Sequence, residues 1–208
     1  PKVVAKVGEK VKAGSVLMID KNRPEIKFVS PVSGEVTAVN RGEKRKVLSI
    51  VVKPDAQIEY EEFGKKNVAS LQGAEVKEVL LNAGMWPFIK QRPYDIVAAP
   101  LDTPRDIFVS AFYSAPLAPN FDFIVKGQEA DFQTGLNALA KLTNGKVYVG
   151  VRSGSVVSGM KGVEIVEVEG PHPAANVGVQ INHIKPVNKG EVVWTVNPAD
   201  VIVIGRLF

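Results

Sequence analysis

The sequence predicts a two-part chain of the α/β class, α+β overall. A small β sandwich or barrel comes first, and a larger domain follows in which helices alternate with the strands of a parallel or mixed sheet. Three observations carry this. Short apolar runs separated by glycine and proline turns fill residues 3–52, the spacing of a small all-β module. From residue 96 onward, β-branched and aromatic runs alternate with amphipathic stretches, the order that builds parallel sheets. Between them, residues 54–66 are polar and acidic, with Asp55, Glu59, Glu61 and Glu62, and mark a boundary. The expected division is 1–54 for the β module, 55–94 for a linker containing a helix, and 95–208 for the α/β domain.

In the β module, Gly8 and Gly14 sit where tight turns need a positive φ. Residues 16–19 are a strand, Asp20-Lys21-Asn22-Arg23-Pro24 a polar hairpin tip, and residues 26–29 the returning strand. After Ser30-Pro31-Val32-Ser33-Gly34-Glu35-Val36 and a charged turn at 41–46, residues 47–52 close the module. The stretch Gly8-Glu9-Lys10-Val11-Lys12-Ala13-Gly14, followed by a strand, the tip and Ser30 to Val36, resembles the lipoyl/biotinyl barrel-sandwich family. Lipoylated members of that family carry the modified lysine at the tip in an Asp-Lys-Ala-like triplet. Here Asp20-Lys21 runs on into Asn22-Arg23-Pro24, and the tip is longer. The resemblance therefore implies a barrel-sandwich hybrid that is not lipoylated, with a carrier lysine at Lys21 as the alternative.

Val76, Val79, Leu80 and Ala83 recur at helical spacing, and Gly84 supplies a left-handed stop. Residues 85–94 are apolar and aromatic, held by Pro87 and Pro93, and read as packing rather than as an exposed patch. In the second domain, residues 96–99 and 107–112 read as strands and 114–120 as a proline-fixed loop at a strand end, where ligands of open α/β sheets gather. Residues 121–125 are a further apolar segment, 129–143 a helix with Phe132, Leu136, Leu139 and Ala140 on one face, and 146–151 a strand. This order argues for a Rossmann-like sheet. The loop 152–162 has Gly154 and Gly159 at P-loop spacing, but Met160 and Gly162 stand where phosphate binding needs Lys and Ser or Thr. It reads as a flexible connection. Trp194, within the apolar run 192–196, reads as core, and a last apolar segment covers 201–208.

Composition narrows the function classes. With no cysteine, the chain offers no disulfide, no thiolate ligand for zinc or an iron–sulfur cluster, and no thiol nucleophile. Two histidines without a His-x-x-x-His pair make a histidine metal site an unfavoured reading. No apolar run reaches the roughly 18 residues that span a bilayer. The absence of an initial Met, and an end that follows directly on an apolar run, read as a segment of a longer chain. Residues 1–53 hold 12 basic against 5 acidic residues and the remainder 14 against 17, so the basic excess lies in the first module. Such a face suits anionic lipid or an acidic partner, or is simply a solvated lysine surface. No aromatic residue interleaves the charges, and nucleic acid is not an expected partner.

The candidate ligand site is the turn Gly170-Pro171-His172-Pro173-Ala174-Ala175-Asn176. The strand-like run 163–168 enters it, and Val177, Ile181 and Ile184 leave it at helical spacing. Strand, rigid turn and helix together can hold a ligand at a helix N-terminus. His172, Asn176 and a helix start at Ala174 are the residues expected to meet it. No Ser, Asp or Glu accompanies His172 in a recognisable catalytic pattern, so no catalytic residue is assigned.

Taken in order, a non-lipoylated barrel-sandwich module precedes Leu80-Leu81-Asn82-Ala83-Gly84-Met85-Trp86-Pro87-Phe88 and Gln91-Arg92-Pro93-Tyr94. Asp106-Ile107-Phe108-Val109-Ser110-Ala111-Phe112, Ala115-Pro116-Leu117-Ala118-Pro119-Asn120, Glu169-Gly170-Pro171-His172-Pro173-Ala174 and the stretch 200–208 follow. This combination is similar to the A subunits of the bacterial Na⁺-translocating NADH:quinone oxidoreductases. A weaker similarity is to the C subunit of the Rnf complex and to the flavin-bearing subunit of respiratory complex I. The resemblance implies a peripheral subunit on the cytoplasmic side of the bacterial inner membrane. Its partners would be the other subunits, chiefly a membrane subunit, and it would meet the membrane by association. It implies no cofactor on this stretch: NAD, flavins and an iron–sulfur centre belong to partner subunits, and ubiquinone is the substrate of the complex. Two roles stay open: a non-catalytic docking subunit, or a module that binds a quinone or a flavin-like molecule near the proline-rich strand ends.

Overall fold

The computed structural model describes all of residues 1–208. Cα packing groups the chain into two compact units, Pro1–Gly64 with Glu78–Pro87 and Lys65–Lys77 with Phe88–Phe208.

In the first unit the turn glycines fall where the sequence places them: Gly8 and Gly14 both have positive φ, at +87° and +101°. The strands between the turns are β1 (Lys2–Val3), β2 (Lys10–Val11), β3 (Val16–Ile19), β4 (Lys27–Val29), β5 (Gly34–Arg41) and β6 (Val47–Pro54). They form two antiparallel three-stranded sheets, ordered β1-β3-β4 and β2-β5-β6. Ala5, Val11, Leu17 and Val36 form the small core, with Val39, Ile50 and Val52 packed on it. Gly34, at φ +154°, opens β5 where a Cβ would strike the Lys53 carbonyl, so glycine is what lets β5 and β6 pair there. This is the barrel-sandwich hybrid the sequence implies.

Helix α1 (Gly73–Asn82) ends as expected, with Gly84 at φ +70°. Trp86 follows and is fully buried. The second unit is built on a mixed six-stranded sheet. Its strands are β7 (Lys90–Arg92), β8 (Ile96–Val97), β9 (Ile107–Ser110), β10 (Val147–Val151), β11 (Glu164–Glu167) and β12 (Val193–Thr195), in the order β11-β10-β9-β12-β7-β8. β9 to β12 are mutually parallel, while β7 and β8 pair antiparallel. The four residues of β9 are all buried, so both faces of the central strand are covered. On one face Phe108 stacks on Tyr148 with centroids 4.9 Å apart, and with Val193 it packs against Val177, Ile181 and Ile184 of α4 (Val177–Ile184). α3 (Glu129–Ala140) packs on α5 (Pro198–Leu207). They meet through glycines: a Cβ at Gly135 would fall on the Val201 carbonyl, and one at Gly205 on the Asp131 carbonyl.

Four local readings change. Residues 90–92, read as linker packing, form a strand of the sheet; Pro87 and Pro93 masked a run of only three strand residues. Residues 121–125 form a short helix, α2 (Phe121–Val125), because the Asn120 side chain accepts from the Asp122 N–H and caps it. The loop 152–162 connects β10 to β11 as expected but is packed down, with Val157 fully buried. Helix α4 begins at Val177, not Ala174. Ala174 and Asn176 donate instead to the carbonyls of Pro171 and Pro173, so the prolines set two successive turns before the helix starts. Trp194 is core, as read from the sequence.

Candidate functional site

β9 and β12 lie side by side and parallel, while the chain leaves β9 toward β10 on its other side. Strand order therefore reverses at β9, and the crevice beyond the C-terminal ends of β9 and β12 is a topological switch point. Tyr113, just past β9, spans it: its hydroxyl donates to Asn197 Oδ1 at 3.3 Å, and Asn197 also accepts from the Ala199 N–H to cap α5. Burial raises the Tyr113 phenol above its ordinary pKa, and the nearby Asp200 carboxylate adds to this. Burial likewise raises Asp200, which the Lys90 ammonium only partly offsets.

The turn 170–176 is tied onto the end of β9 by two serines. Ser114 Oγ accepts from the Ala175 N–H at 3.0 Å and lies 3.2 Å from His172 Nδ1, with the direction of that second bond set by the imidazole tautomer. Ser110 Oγ donates to the Ala175 carbonyl at 2.8 Å and accepts from Gln180 Nε2 at 3.0 Å. Gln180 also donates to the Ala174 carbonyl at 3.1 Å. This buried amide fits because position 150 is glycine: a Cβ there would collide with it. The two serine hydroxyls and the Gln180 amide nitrogen are thus bonded to neutral partners.

Of the residues expected at the site, His172 is exposed with its ring anchored on Ser114, Ala174 is half-buried under Gln180, and Asn176 is exposed at the N-cap of α4. The Asn176 side chain makes no capping bond, which leaves that helix end open to an external acceptor. The three are brought into one turn, but they do not line the nearby cavity of about 240 Å³. That cavity is formed by Ala111, Phe112, Tyr113, Asn120, Asp122, Arg152 and Ser155, among others. There Arg152 lies 5.3 Å over the Phe112 ring, and Asp122 accepts from Ser155 Oγ and from the Val156 N–H. The loop with P-loop-like spacing is therefore pinned by a carboxylate, an unsuitable neighbour for phosphate. Nor do three or more His, Asp or Glu side chains gather where they could hold a metal ion.

Ser110, Ser114 and Gln180 were not singled out in the sequence. Gln180 carried a signal: it lies three residues after Val177, on the apolar face of its helix, where a polar residue needs a buried partner. The serines carried none beyond their position at a strand end.

Comparison with known proteins covers both units. Residues 1–55 match the NqrA N-terminal barrel-sandwich hybrid domain, and residues 71–208 match the NqrA second alpha/beta domain. Among curated relatives, the A subunit of the Na⁺-translocating NADH-quinone reductase of Photorhabdus laumondii is 38% identical over 212 residues. The proteins of the same name from Neisseria meningitidis serogroup A and Hahella chejuensis are 39% and 40% identical. Each alignment covers 100% of this chain and 47% of the relative, so the chain spans about half the length of these proteins.

Proposed function

The chain belongs to the NqrA family, and on that premise we propose that it acts as part of a peripheral subunit of a respiratory sodium-pumping NADH–quinone reductase. It supports electron transfer from NADH to ubiquinone, coupled to sodium export, without a redox centre of its own. The observation that carries this is the match along the whole chain at 38–40% identity to proteins of that name. The absence of cysteine and of a glycine-rich dinucleotide fingerprint supports the lack of a redox centre. NAD, the flavins and the iron–sulfur centre then sit in partner subunits, and this chain docks chiefly on a membrane subunit from the cytoplasmic side of the inner membrane. None of its helices is long and apolar enough to cross a membrane, which suits a peripheral place. Residues 1–54 serve as barrel-sandwich module and 95–208 as α/β domain, with the sheet strand at 90–92 moving the start of that domain into the 55–94 linker.

The test is to prepare the complex in the presence and in the absence of this subunit, then to measure flavin and iron content alongside quinone reduction. Unchanged cofactor content with lost quinone reduction is the expected result. A stoichiometric loss of flavin or iron would overturn the reading.

One observation favours a second reading, in which the α/β domain also binds a quinone or a flavin-like molecule. His172 is exposed, fixed by Ser114, and placed beside the uncapped start of α4. A water-soluble ubiquinone analogue or flavin mononucleotide should then change tryptophan fluorescence saturably, and His172→Ala should weaken the effect. The absence of any saturable change, with capture of the membrane subunit intact, leaves docking as the sole role. At the β3–β4 tip, Asp20 Oδ1 accepts from the N–H groups of Asn22 and Arg23 and closes the turn around Lys21. A lipoyl adduct on Lys21 in the intact mass of the native protein would restore the carrier reading.

A further inference from the structure

The β5–β6 hairpin runs out past the core of the first unit. Its inner residues Val36, Val39, Ile50 and Val52 contribute to that core, whereas Asn40, Arg41, Glu43, Lys44, Arg45, Lys46 and Leu48 are exposed. The tip carries four cations, Arg41, Lys44, Arg45 and Lys46, against the single Glu43, and none of the four is paired with a carboxylate. Two of them sit at left-handed backbone positions, Lys44 at φ +52° and Arg45 at φ +60°. A tight turn of this kind is ordinarily made by Asn and Gly, because a Cβ is unfavourable there. Long cationic side chains at both positions cost stability that asparagine and glycine would spare, which directs the search for a function to this turn. Arg41 braces the turn, its guanidinium donating to the Arg45 carbonyl at 3.2 Å.

Next to these cations stands an apolar side chain with nothing to cover it. Leu48 is 62% exposed and lies across Gly42, so it belongs to the tip and not to the core. Four unpaired cations beside one uncovered leucine suit a flat anionic surface, with lysines and arginines at headgroup level and the leucine reaching the acyl boundary. We propose that this hairpin tip, Arg41, Lys44, Arg45, Lys46 and Leu48, is a membrane-surface contact that binds anionic phospholipid headgroups. The inference rests on the peripheral-subunit reading and names the surface that meets the bilayer.

The experiment is co-sedimentation of the full-length chain with vesicles of phosphatidylcholine alone, or of equal parts phosphatidylcholine and phosphatidylglycerol. Binding only to the anionic vesicles, falling as salt rises, is expected. Each of Lys44→Gln, Arg45→Gln and Lys46→Gln should reduce the partition coefficient about fivefold, and the triple variant that combines them should reduce it further. Leu48→Ser should weaken what remains at high salt. These positions are exposed, so the variants should keep the circular dichroism of the parent. Equal binding to both vesicle types, no binding, or an unchanged partition of the triple variant would overturn the proposal. So would a triple variant that binds vesicles normally but no longer captures the membrane subunit, because the tip would then be a protein contact. Assembly is read separately, by capture of the membrane subunit. A parent chain that captures the membrane subunit but does not bind anionic vesicles sinks only this inference, whereas lost assembly in the parent chain sinks the peripheral-subunit reading itself.

Discussion

The two ends of strand β9 are held in place by opposite chemistries. At its N-terminal end Asp106 is fully buried and ion-paired to Arg105 Nε and Lys185 Nζ, each at 2.7 Å, and it also accepts from the Lys146 N–H. Arg105 reaches on to Glu191 and to the carbonyls of Lys185 and Pro186. At the C-terminal end the ties are neutral: Ser110, Ser114 and Gln180 hold the turn 170–176 by hydroxyl and amide hydrogen bonds. The charged end is closed on itself, because each charge already has its partner. The neutral end leaves a histidine and a helix start facing outward. A fold that fixes one end of its sheet by ion pairs can leave the other end to recognition, where less stability depends on any single group.

Breaking the charged end should have the largest effect. Asp106→Asn leaves Arg105 and Lys185 without their shared carboxylate. The loss should be about 3 kcal/mol, at the lower end of what breaking a buried pair costs, because Lys185 is 44% exposed. Urea denaturation measures it. Gln180→Ala at the neutral end removes donors to Ser110 Oγ and the Ala174 carbonyl and should cost about 2 kcal/mol, and Ser114→Ala about 1 kcal/mol. If Gln180→Ala costs more than Asp106→Asn, the ranking of the two ends is reversed and the comparison fails.

The pH dependence of stability should also differ in sign between the ends. Burial works to raise the Asp106 carboxyl, but hydrogen bonds from Lys185, the Lys146 N–H and Arg105 outweigh it and hold the group below the ordinary carboxylate range. Its contribution is therefore complete above about pH 4 and disappears as pH falls through the lowered folded value. Burial raises Asp200, so the stability it permits is complete below its unfolded value and is lost as pH rises through the folded one. Asp106→Asn should flatten the acid limb of the stability profile, whereas Asp200→Asn should raise stability near neutral pH. Melting temperatures taken across the acidic range read both, and a shared sign would mean that one assignment is wrong.

The sequence made much of the fold legible and less of the site. Turn glycines and period-two runs located the strands of the first module, and the β-branched run 107–112 marked the central strand, because both patterns follow directly from burial. The three-residue strand Lys90–Arg92 was illegible: its residues are polar, and its partner Val193–Thr195 lies far along the chain. Helix α4 was found by its periodicity, but its start was placed too early because turn bonds at Pro171 and Pro173 precede it. The ties from Ser110 and Ser114 to Ala175 span about sixty residues, and no local pattern encodes such a pairing.

His172 makes the sharpest test, since the proposed ligand site needs its side chain and the fold does not. Its side chain is exposed and holds one hydrogen bond, to a serine that has another partner. The urea midpoint of His172→Ala is the measurement. The stability should stay within about 0.5 kcal/mol of the parent. A loss on the order of that expected for Asp106→Asn would show that the turn belongs to the fold's foundations and would contradict the division between the two ends.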